Sequence, residues 1–463
     1  MSAVQLEGRR VLVVGLGRSG RAAVDLLGRR GARVLANDAA PASALDARWL
    51  DGARSRGVEL SLGGHDPSLA HRADLVVVSP GVASNPLLDA AERAGVPVVG
   101  EVELAASQLR AKLVGITGSN GKSTVTTLVG KMLEPLGRPL FVGGNLGTPL
   151  CEAVDGPADR PDGIAVVELS SFQLERARAL RVHVAALLNV TENHIDRHGS
   201  FAAYAAAKGR IFLGQHRQDA ACVPDADALC LALARAGAGR LHTFGGAPGP
   251  TAVGLRDGRI VDQALGLELP VESLGIRGAH NARNAAAAVL VARLAGAERH
   301  GVERALRSFR GLPHRTQHVA RVAGVDWWND SKSTSVAASV AAIEGIETQG
   351  RVVLVAGGRD KGGSYEPLAA ALGARGRAVV LLGEAAGLME RALVDVGLPI
   401  ERACDLSDAV RRAARLARPG DAVLLSPACS SLDMFPSFEA RGEAFVAAVQ
   451  TLASGSEGSG GAE

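Results

Sequence analysis

The chain has 463 residues, 47% of them hydrophobic and 21% charged, which is the length of about three domains and the composition of a globular protein. Its 51 Lys and Arg residues nearly balance 48 Asp and Glu residues, so we expect no nucleic-acid partner, because such partners require a strongly basic surface. No apolar stretch approaches the roughly 20 residues that cross a bilayer, and five cysteines without a Cys-x-x-Cys pair predict a reduced, cytoplasmic protein with neither a disulfide framework nor a structural zinc site.

Short β-branched runs that end in Gly, Pro or Ser alternate with Ala-, Leu- and Arg-rich helical stretches. This alternation predicts α/β domains built on mostly parallel sheets. The predicted strands lie at residues 11–15, 34–38, 75–79, 96–100, 113–117, 140–142, 164–168, 184–189, 352–356, 378–382 and 422–426. We expect domain boundaries near residues 104 and 311, giving domains at 1–104, 105–311 and 312–463. A Gly- and Ser-rich tail from about residue 454 has nothing to bury and is expected to be disordered.

A first glycine-rich loop, Gly-Leu-Gly-Arg-Ser-Gly, occupies residues 15–20 directly after the first predicted strand. It has the spacing of a dinucleotide-binding turn, and Asp38 ends the next strand. Gly15 would make the tight turn, and Gly17 would admit a pyrophosphate close to the backbone at the start of a helix. The pattern predicts a phosphate site without fixing the nucleotide, so an NAD-linked dehydrogenase and a purely structural turn both remain open.

A second glycine-rich loop, Thr-Gly-Ser-Asn-Gly-Lys-Ser-Thr, occupies residues 117–124 between a predicted strand and a predicted helix. It is similar to a P-loop, although Ile116 stands where the strict pattern has its first glycine. Two glycines would free backbone N–H groups for phosphate, a lysine would supply positive charge, and a serine would offer its hydroxyl to magnesium. These residues are Gly118, Gly121, Lys122 and Ser123.

Polar residues follow the next two predicted strands of this block. Glu168 ends a buried strand, where a P-loop fold places a carboxylate directed at the metal. The loop at 191–198 contains His194, Asp196 and His198 at alternate positions, which is weak support for a transition-metal site. One histidine assisting a hard-cation phosphate site is the favoured interpretation. Lys208, in the next helical stretch, would by itself be an ordinary surface lysine.

The chain resembles the Mur ligases in seven motifs that follow one another in the family's order. They lie at residues 117–124, 143–149, 168–174, 280–284, 313–315, 329–334 and 426–433. The stretches Glu-Leu-Ser-Ser-Phe-Gln-Leu at 168–174 and Ser-Pro-Ala-Cys-Ser-Ser-Leu-Asp at 426–433 favour the branch that adds D-glutamate. The resemblance covers nearly the whole chain, from the first glycine loop to Phe438.

The resemblance implies an N-terminal Rossmann-like domain for a UDP sugar, a central P-loop ATPase-like domain with a parallel sheet, and a C-terminal Rossmann-like domain for the amino acid. The first glycine loop would then bind UDP and not NAD. The implied contacts to the UDP substrate come from Gly17, Arg18, Ser19, Asp38, Gly81, Asn145, Ser170 and His194. Those to ATP come from Gly118, Ser119, Asn120, Gly121, Lys122, Ser123, Thr124, Asn281, Asn284, Arg315 and Asp330. Those to D-glutamate come from Thr334, Lys361, Ser430, Ser431 and Phe438.

The same resemblance implies a ligase that uses ATP and two magnesium ions to join UDP-N-acetylmuramoyl-L-alanine and D-glutamate through an acyl phosphate. The implied catalytic residues are Lys122, Glu168, His194, Lys208 and Lys332, and the implied metal positions are Ser123, Glu168, His194 and Lys208. Lys208 matches a lysine that the family carbamylates, which would convert its cation into a carboxylate. We expect a monomer in the cytoplasm with no membrane partner.

Overall fold

The structure is a computed structural model that describes residues 5–276, 278–346, 348–360, 362 and 364–457. Its chain divides into two compact units, one ending at Phe309 and the other beginning at Arg310. The first unit contains two sheets and the second unit contains a third. Within the described ranges, no helix has the length and apolar character needed to cross a membrane.

The first sheet is built from the part of the chain before residue 101. Its strands are β1 (Arg10–Val14), β2 (Arg33–Asp38), β3 (Glu59–Leu62), β4 (Leu75–Val78) and β5 (Val98–Gly100), and its helices are α1 (Arg18–Arg29), α2 (Ala47–Ser55), α3 (Pro86–Arg93) and α4 (Glu101–Gln108). The strands are parallel in the order β3-β2-β1-β4-β5. The order reverses direction between β1 and β4, and ligands of such sheets bind at the carboxyl ends of the strands beside this point.

The second sheet carries the second glycine loop. Its strands are β6 (Lys112–Thr117), β7 (Leu140–Gly144), β8 (Ile164–Glu168), β9 (Val184–Leu187), β10 (Ala220–Pro224), β11 (Arg240–Phe244), β12 (Ala252–Arg256), β13 (Arg259–Asp262) and β14 (Leu267–Pro270). Its helices are α5 (Lys122–Leu133), α6 (Ser171–Leu174), α7 (Ile195–His198), α8 (Phe201–Leu213), α9 (Ala228–Arg235), α10 (Ala279–Ala295) and α11 (Arg299–Ser308). Strand β6 lies between β8 and β9 and is parallel to both. The loops that follow these three strands therefore meet at one edge of the sheet.

The third sheet belongs to the second unit. Its strands are β15 (Gln317–Val322), β16 (Val325–Asn329), β17 (Val352–Gly357), β18 (Gly376–Leu382), β19 (Ile400–Arg402) and β20 (Ala422–Leu425), and its helices are α12 (Val336–Gly345), α13 (Glu366–Arg375), α14 (Ala386–Leu393), α15 (Leu406–Leu416) and α16 (Phe438–Glu457). The order is β15-β16-β20-β17-β18-β19, with only β15 antiparallel to its neighbour. Strands β17 and β20 are fully buried, as expected where helices cover both faces of a parallel sheet.

The α/β fold class with mostly parallel sheets is confirmed, with antiparallel strands at one edge of the second and third sheets, and every predicted strand is present within a few residues. The sequence analysis missed β3, β10 to β16 and β19, of which β3 and β19 are edge strands with few buried residues. The boundary predicted near residue 104 falls within α4. Helix α16 continues through Glu457, which corrects the predicted start of the tail at about residue 454, and residues 458–463 lie outside the described residues.

Candidate active site

The second glycine loop connects β6 directly to α5. Gly121 precedes the helix with a positive φ of 82°, and a Cβ atom there would lie 2.4 Å from the side-chain oxygen of Asn284. Glycine therefore suits the backbone conformation, and a Cβ atom there would also displace the Asn284 side chain. The Nζ atom of Lys122 lies 2.9 Å from the carbonyl oxygen of Gly118 and 3.0 Å from that of Ser119. The lysine thus returns over its own loop, at the amino end of α5, where backbone N–H groups favour anions.

A buried carboxylate lies beside this loop. Glu168 ends β8 with only 2% of its surface exposed. Its Oε2 accepts a hydrogen bond of 2.5 Å from the Ser123 hydroxyl, and its Oε1 accepts one of 2.6 Å from the Asn145 amide. Strand pairing places Gly144 opposite Glu168, and a Cβ atom at Gly144 would lie 2.4 Å from the Glu168 carbonyl oxygen. Because position 144 is a glycine, β7 can lie close enough to β8 for Asn145 to contact the Glu168 carboxylate.

Lys208 projects from α8 to the same loop. Its side chain is almost fully buried, and Nζ donates a hydrogen bond of 2.8 Å to the Gly118 carbonyl oxygen that Lys122 also contacts. Burial, and then the nearby Lys122 ammonium, lower the pKa of Lys208 to about 7, while Glu168 opposes the change. A lysine with such a pKa is largely neutral above pH 7 and can act as a nucleophile. The structure thus brings together Lys122, Ser123, Glu168 and Lys208.

The loop after β9 forms hydrogen bonds with the second glycine loop. The Asn189 side chain accepts a hydrogen bond from the Asn120 N–H and donates to the Asn120 carbonyl oxygen. The Ser119 hydroxyl lies 2.9 Å from the Tyr204 hydroxyl and 3.0 Å from the Thr191 carbonyl oxygen. The sequence analysis did not select Asn189, Thr191 or Tyr204. The only signal for the first two was their position after a buried strand.

His194 lies in the same loop with a positive φ of 55°, and its ring centre is 4.8 Å from that of Phe172. Ser170 accepts a hydrogen bond from the Gln173 N–H and caps α6, so its side chain has a role in the fold, and its contact with the substrate stays a prediction. On α10, the Asn284 amide donates to the Asn281 side-chain oxygen at 3.3 Å. Among the described side chains, which do not include that of Asp196, no group of three His, Cys, Asp or Glu residues is arranged to hold a metal.

The first glycine loop is organised around Asp38. One carboxylate oxygen accepts a hydrogen bond of 2.6 Å from the Leu16 N–H and the other accepts one of 2.8 Å from the Ala40 N–H. Gly17 caps α1, and Arg18 and Gly81 are exposed while Ser19 is half-buried. Asp38 therefore shapes the loop that the sequence analysis assigned to phosphate, in addition to any contact with a ribose.

The second unit gathers most of its predicted residues in the loops after β16 and β20 and at the start of α16. Lys332 lies with Nζ 3.9 Å from the centre of the Phe438 ring. Ser430 pairs by backbone hydrogen bonds with Arg359, in the loop after β17, and Ser431 is buried. Arg441 is fully buried and donates to the carbonyl oxygens of Ser331 and Cys429, which ties these loops together. Thr334 follows Lys332 in the same loop, and Lys361 lies outside the described residues.

Asp330 is almost fully buried in this unit. Its Oδ1 accepts from the Thr316 N–H at 3.0 Å, and its Oδ2 accepts from the hydroxyls of Ser333 and Ser426. Burial raises the pKa of Asp330 to about 6, although these hydrogen bonds act in the opposite direction. Arg315 lies next to Thr316 and favours the ionised form of this carboxyl. These hydrogen bonds give Asp330 a role in the loop around it, and its contact with ATP stays a prediction.

Three family models match the chain in succession. They are described as the Mur ligase MurD-like N-terminal domain over residues 9–100, the Mur ligase middle domain over residues 116–292 and the Mur ligase glutamate ligase domain over residues 314–429. A UDP-N-acetylmuramoylalanine–D-glutamate ligase from Anaeromyxobacter dehalogenans is 47% identical to the chain over 459 residues, which cover 96% of this chain and 98% of that protein. The chain belongs to the Mur ligase family.

A second relative of this Mur ligase gives the same result. A protein of the same name from Acidobacterium capsulatum is 42% identical and covers 96% of both chains. The structure of a pseudomurein peptide ligase type C from Methanothermus fervidus superposes with a TM-score of 0.59 at 17% identity, covering 96% of this chain and 100% of that one. At this identity the likeness concerns the fold alone.

Proposed function

We propose that this Mur ligase is an ATP-dependent amide ligase that joins D-glutamate to UDP-N-acetylmuramoyl-L-alanine in peptidoglycan precursor synthesis. Two relatives of nearly equal length, at 47% and 42% identity, are named as D-glutamate ligases, and the glutamate ligase family model matches residues 314–429. We further propose a cytoplasmic monomer with domain boundaries near residues 104 and 311 and with no nucleic-acid or membrane partner.

The observation that carries the proposal is the position of Glu168. Its carboxylate accepts hydrogen bonds from Ser123 of the phosphate loop and from Asn145, which follows the adjacent strand. Lys122 and Lys208 both contact the Gly118 carbonyl oxygen of the same loop. An acid, a hydroxyl and two lysines around a P-loop are suited to phosphoryl transfer, where catalysis depends on positioning and on charge stabilisation.

The Ser123 hydroxyl and the Glu168 carboxylate, which are hydrogen-bonded to each other, suit magnesium by their chemistry, because Mg²⁺ prefers hydroxyl, carboxylate and water oxygens. We propose that Ser123, Glu168, His194 and a carbamylated Lys208 hold two ions, which neutralise phosphate charge when bound. Carbamylation suits Lys208 because its pKa of about 7 leaves much of the amine neutral. The ammonium would first lose a proton, the neutral Nζ would add to the carbon of CO₂, and the adduct would lose a second proton, so a cation becomes an anion.

The proposed reaction has two steps. A carboxylate oxygen of UDP-N-acetylmuramoyl-L-alanine attacks the γ-phosphorus of ATP, ADP leaves, and an acyl phosphate forms. The D-glutamate amine then attacks the acyl carbon, the amine loses a proton, and the tetrahedral intermediate expels phosphate to leave the amide. Lys122, whose Nζ contacts the Gly118 carbonyl oxygen at the amino end of α5, would stabilise the negative charge of the transferred phosphoryl group.

The proposed binding roles follow the three domains. The phosphates of ATP would lie against residues 118–124, and its adenine and ribose against Asn281, Asn284, Arg315 and Asp330. The UDP substrate would contact Gly17, Arg18, Ser19, Asp38, Gly81, Asn145, Ser170 and His194. D-glutamate would contact Thr334, Lys361, Ser430, Ser431 and Phe438, with Lys332 beside them. The exposed Arg18 and the 3.9 Å separation of Lys332 from the Phe438 ring are compatible with these roles.

Release of ADP in the presence of alternative substrates tests the proposal. We expect ADP release that requires UDP-N-acetylmuramoyl-L-alanine and is strongly stimulated by D-glutamate, with no stimulation by L-glutamate. Equal stimulation by both enantiomers would contradict the D-glutamate assignment. ADP release that ignores the UDP substrate would contradict the ligase reaction itself. NAD-dependent oxidation without ADP release would favour the dehydrogenase alternative.

A further inference from the structure

One arginine joins two loops that the proposed function assigns to different tasks. The first is the β4–α3 loop (residues 79–85), which contains Gly81. The second is the His194 loop (residues 188–200). The Arg197 Nη2 atom donates a hydrogen bond of 2.8 Å to the Val82 carbonyl oxygen and one of 2.6 Å to the Glu175 carboxylate. The same guanidinium therefore contacts both the first domain and the middle domain of the first unit.

Val82 is in turn packed against the first glycine loop. A Cβ atom at Gly15 would lie 2.4 Å from the Val82 side chain and 2.9 Å from Cβ of Ser79. The Ser79 N–H also donates to the Val14 carbonyl oxygen at the end of β1. The β4–α3 loop thus forms a wall of the first glycine loop, and a displacement of Val82 would change that wall.

Phe172 connects the same guanidinium to His194. The Arg197 Cζ atom lies 5.2 Å from the centre of the Phe172 ring, and this ring centre lies 4.8 Å from that of His194. Phe172 belongs to α6, which begins three residues after Glu168. Contacts therefore continue from Val82 through Arg197 and Phe172 to His194.

We propose that Arg197 is a positioning residue that couples the UDP-substrate site at the first glycine loop to His194. The inference rests on the proposed function, which places the UDP substrate against both Gly81 and His194. Arginine is needed because its planar guanidinium can donate to two acceptors and stack on an aromatic ring at once. Both hydrogen bonds come from Nη2. The lysine ammonium would keep the charge, but it would end one bond short of that atom and has no planar face to stack on the Phe172 ring.

A matched control exists in the same segment of chain. Arg176 also links the two domains, through an ion pair of 3.1 Å with Glu92 on α3. Its side chain is 17% exposed, against 18% for Arg197. The two arginines thus have nearly equal burial and each has an ion pair. Both lie near Val82 and Phe172, but among the described contacts the hydrogen bond to the Val82 carbonyl and the position over the Phe172 ring belong to Arg197. A general loss of domain attachment would affect both variants alike.

The test compares Arg197→Lys, Arg197→Met and Arg176→Met in steady-state kinetics of ADP release. Both Arg197 variants should raise KM for UDP-N-acetylmuramoyl-L-alanine by about tenfold, because a hydrogen bond from a charged group is lost. They should also lower kcat, since His194 loses its support through Phe172, and leave KM for ATP within about twofold. Arg176→Met should leave all three constants within about twofold, as for a single peripheral ion pair.

Thermal unfolding of each variant separates positioning from folding. Equal unfolding midpoints for Arg197→Met and Arg176→Met, combined with different kinetics, would support the proposal. Wild-type kinetics for Arg197→Lys, or equal kinetic losses in both methionine variants, would overturn it. If the wild-type chain formed no amide, the proposed function would fail separately. Calorimetric binding of the UDP substrate would still test Arg197, and equal affinity in wild type and both Arg197 variants would overturn its role.

Discussion

The segment of chain between the first two sheets contains a buried acid. Its protonation should affect the free energy of unfolding of the protein. Glu101 begins α4 and is 1% exposed. Its Oε1 accepts a hydrogen bond of 2.7 Å from the Cys151 N–H, and its Oε2 has no hydrogen-bond partner among the described residues. Burial raises the pKa of Glu101 to about 7, and the nearby Glu152 adds to the effect of burial. The folded protein therefore retains a proton that the unfolded chain releases above pH 4.5.

The sign and size of the pH effect follow from these two pKa values. The raised pKa contributes stability that is fully present below the unfolded pKa and is lost as pH rises through about 7. Between pH 5 and pH 8 this one group removes about 2.5 kcal/mol from the free energy of unfolding. Glu101→Gln should abolish that dependence, because a glutamine stays neutral at both pH values and its oxygen can still accept from the Cys151 N–H.

Urea unfolding at pH 5 and pH 8 measures this effect. At each pH, the free energy of unfolding of wild type is subtracted from that of Glu101→Gln. This difference should be about 2.5 kcal/mol larger at pH 8 than at pH 5. The control is Glu134→Gln, an exposed acid of the same unit, for which the difference should stay below about 0.5 kcal/mol. An equal difference between Glu101→Gln and wild type at both pH values would refute the argument that burial holds a proton on Glu101.

Three further predictions concern the phosphate loop and its surroundings. Glu168→Gln and Lys122→Ala should each lower turnover by roughly 100-fold, measured as ADP release, because each removes charge stabilisation from the transition state; near-normal turnover would contradict the assigned roles. Removal of dissolved CO₂ should lower the activity of the wild-type chain, and added bicarbonate should restore it, whereas Lys208→Met should stay inactive in both conditions. Gly144→Ala should lower turnover by more than about tenfold, because its Cβ would meet the Glu168 backbone at 2.4 Å. Gly147→Ala is the control, because Gly147 has a similar positive φ but open space where a Cβ atom would lie. An equal loss of turnover in Gly147→Ala would indicate that backbone strain alone causes the loss.

The centre of the candidate site could be predicted from sequence because its signals are local. The phosphate loop is a contiguous stretch between one strand and one helix, so Lys122 and Ser123 were found directly. Glu168 was found because parallel strands bring their carboxyl ends to one edge of the sheet. Sequence patterns cannot reveal which partners a buried carboxylate takes. Backbone N–H groups donate to both oxygens of Asp38, and one backbone N–H and two hydroxyls donate to Asp330, while their assigned ligand contacts stay predictions.

The missed parts of the structure depend on contacts between residues far apart in sequence. The contact of Asn145 with Glu168 depends on the pairing of β7 with β8 and on the absence of a side chain at Gly144. The sequence analysis did not select Arg197, because its partner Val82 lies 115 positions earlier. Strands β13 and β14 were missed because they form short antiparallel additions to a parallel sheet, which the strand-then-helix pattern does not anticipate.

Transfer of oxygen from the UDP substrate to phosphate tests the central claim most directly. The chain would be supplied with ATP, D-glutamate and UDP-N-acetylmuramoyl-L-alanine whose terminal carboxylate carries ¹⁸O. If an acyl phosphate links ATP to amide formation, each phosphate released with product should carry one ¹⁸O atom from that carboxylate. Amide formation with unlabelled phosphate, or phosphate release without amide, would contradict the coupling of the phosphate loop to condensation.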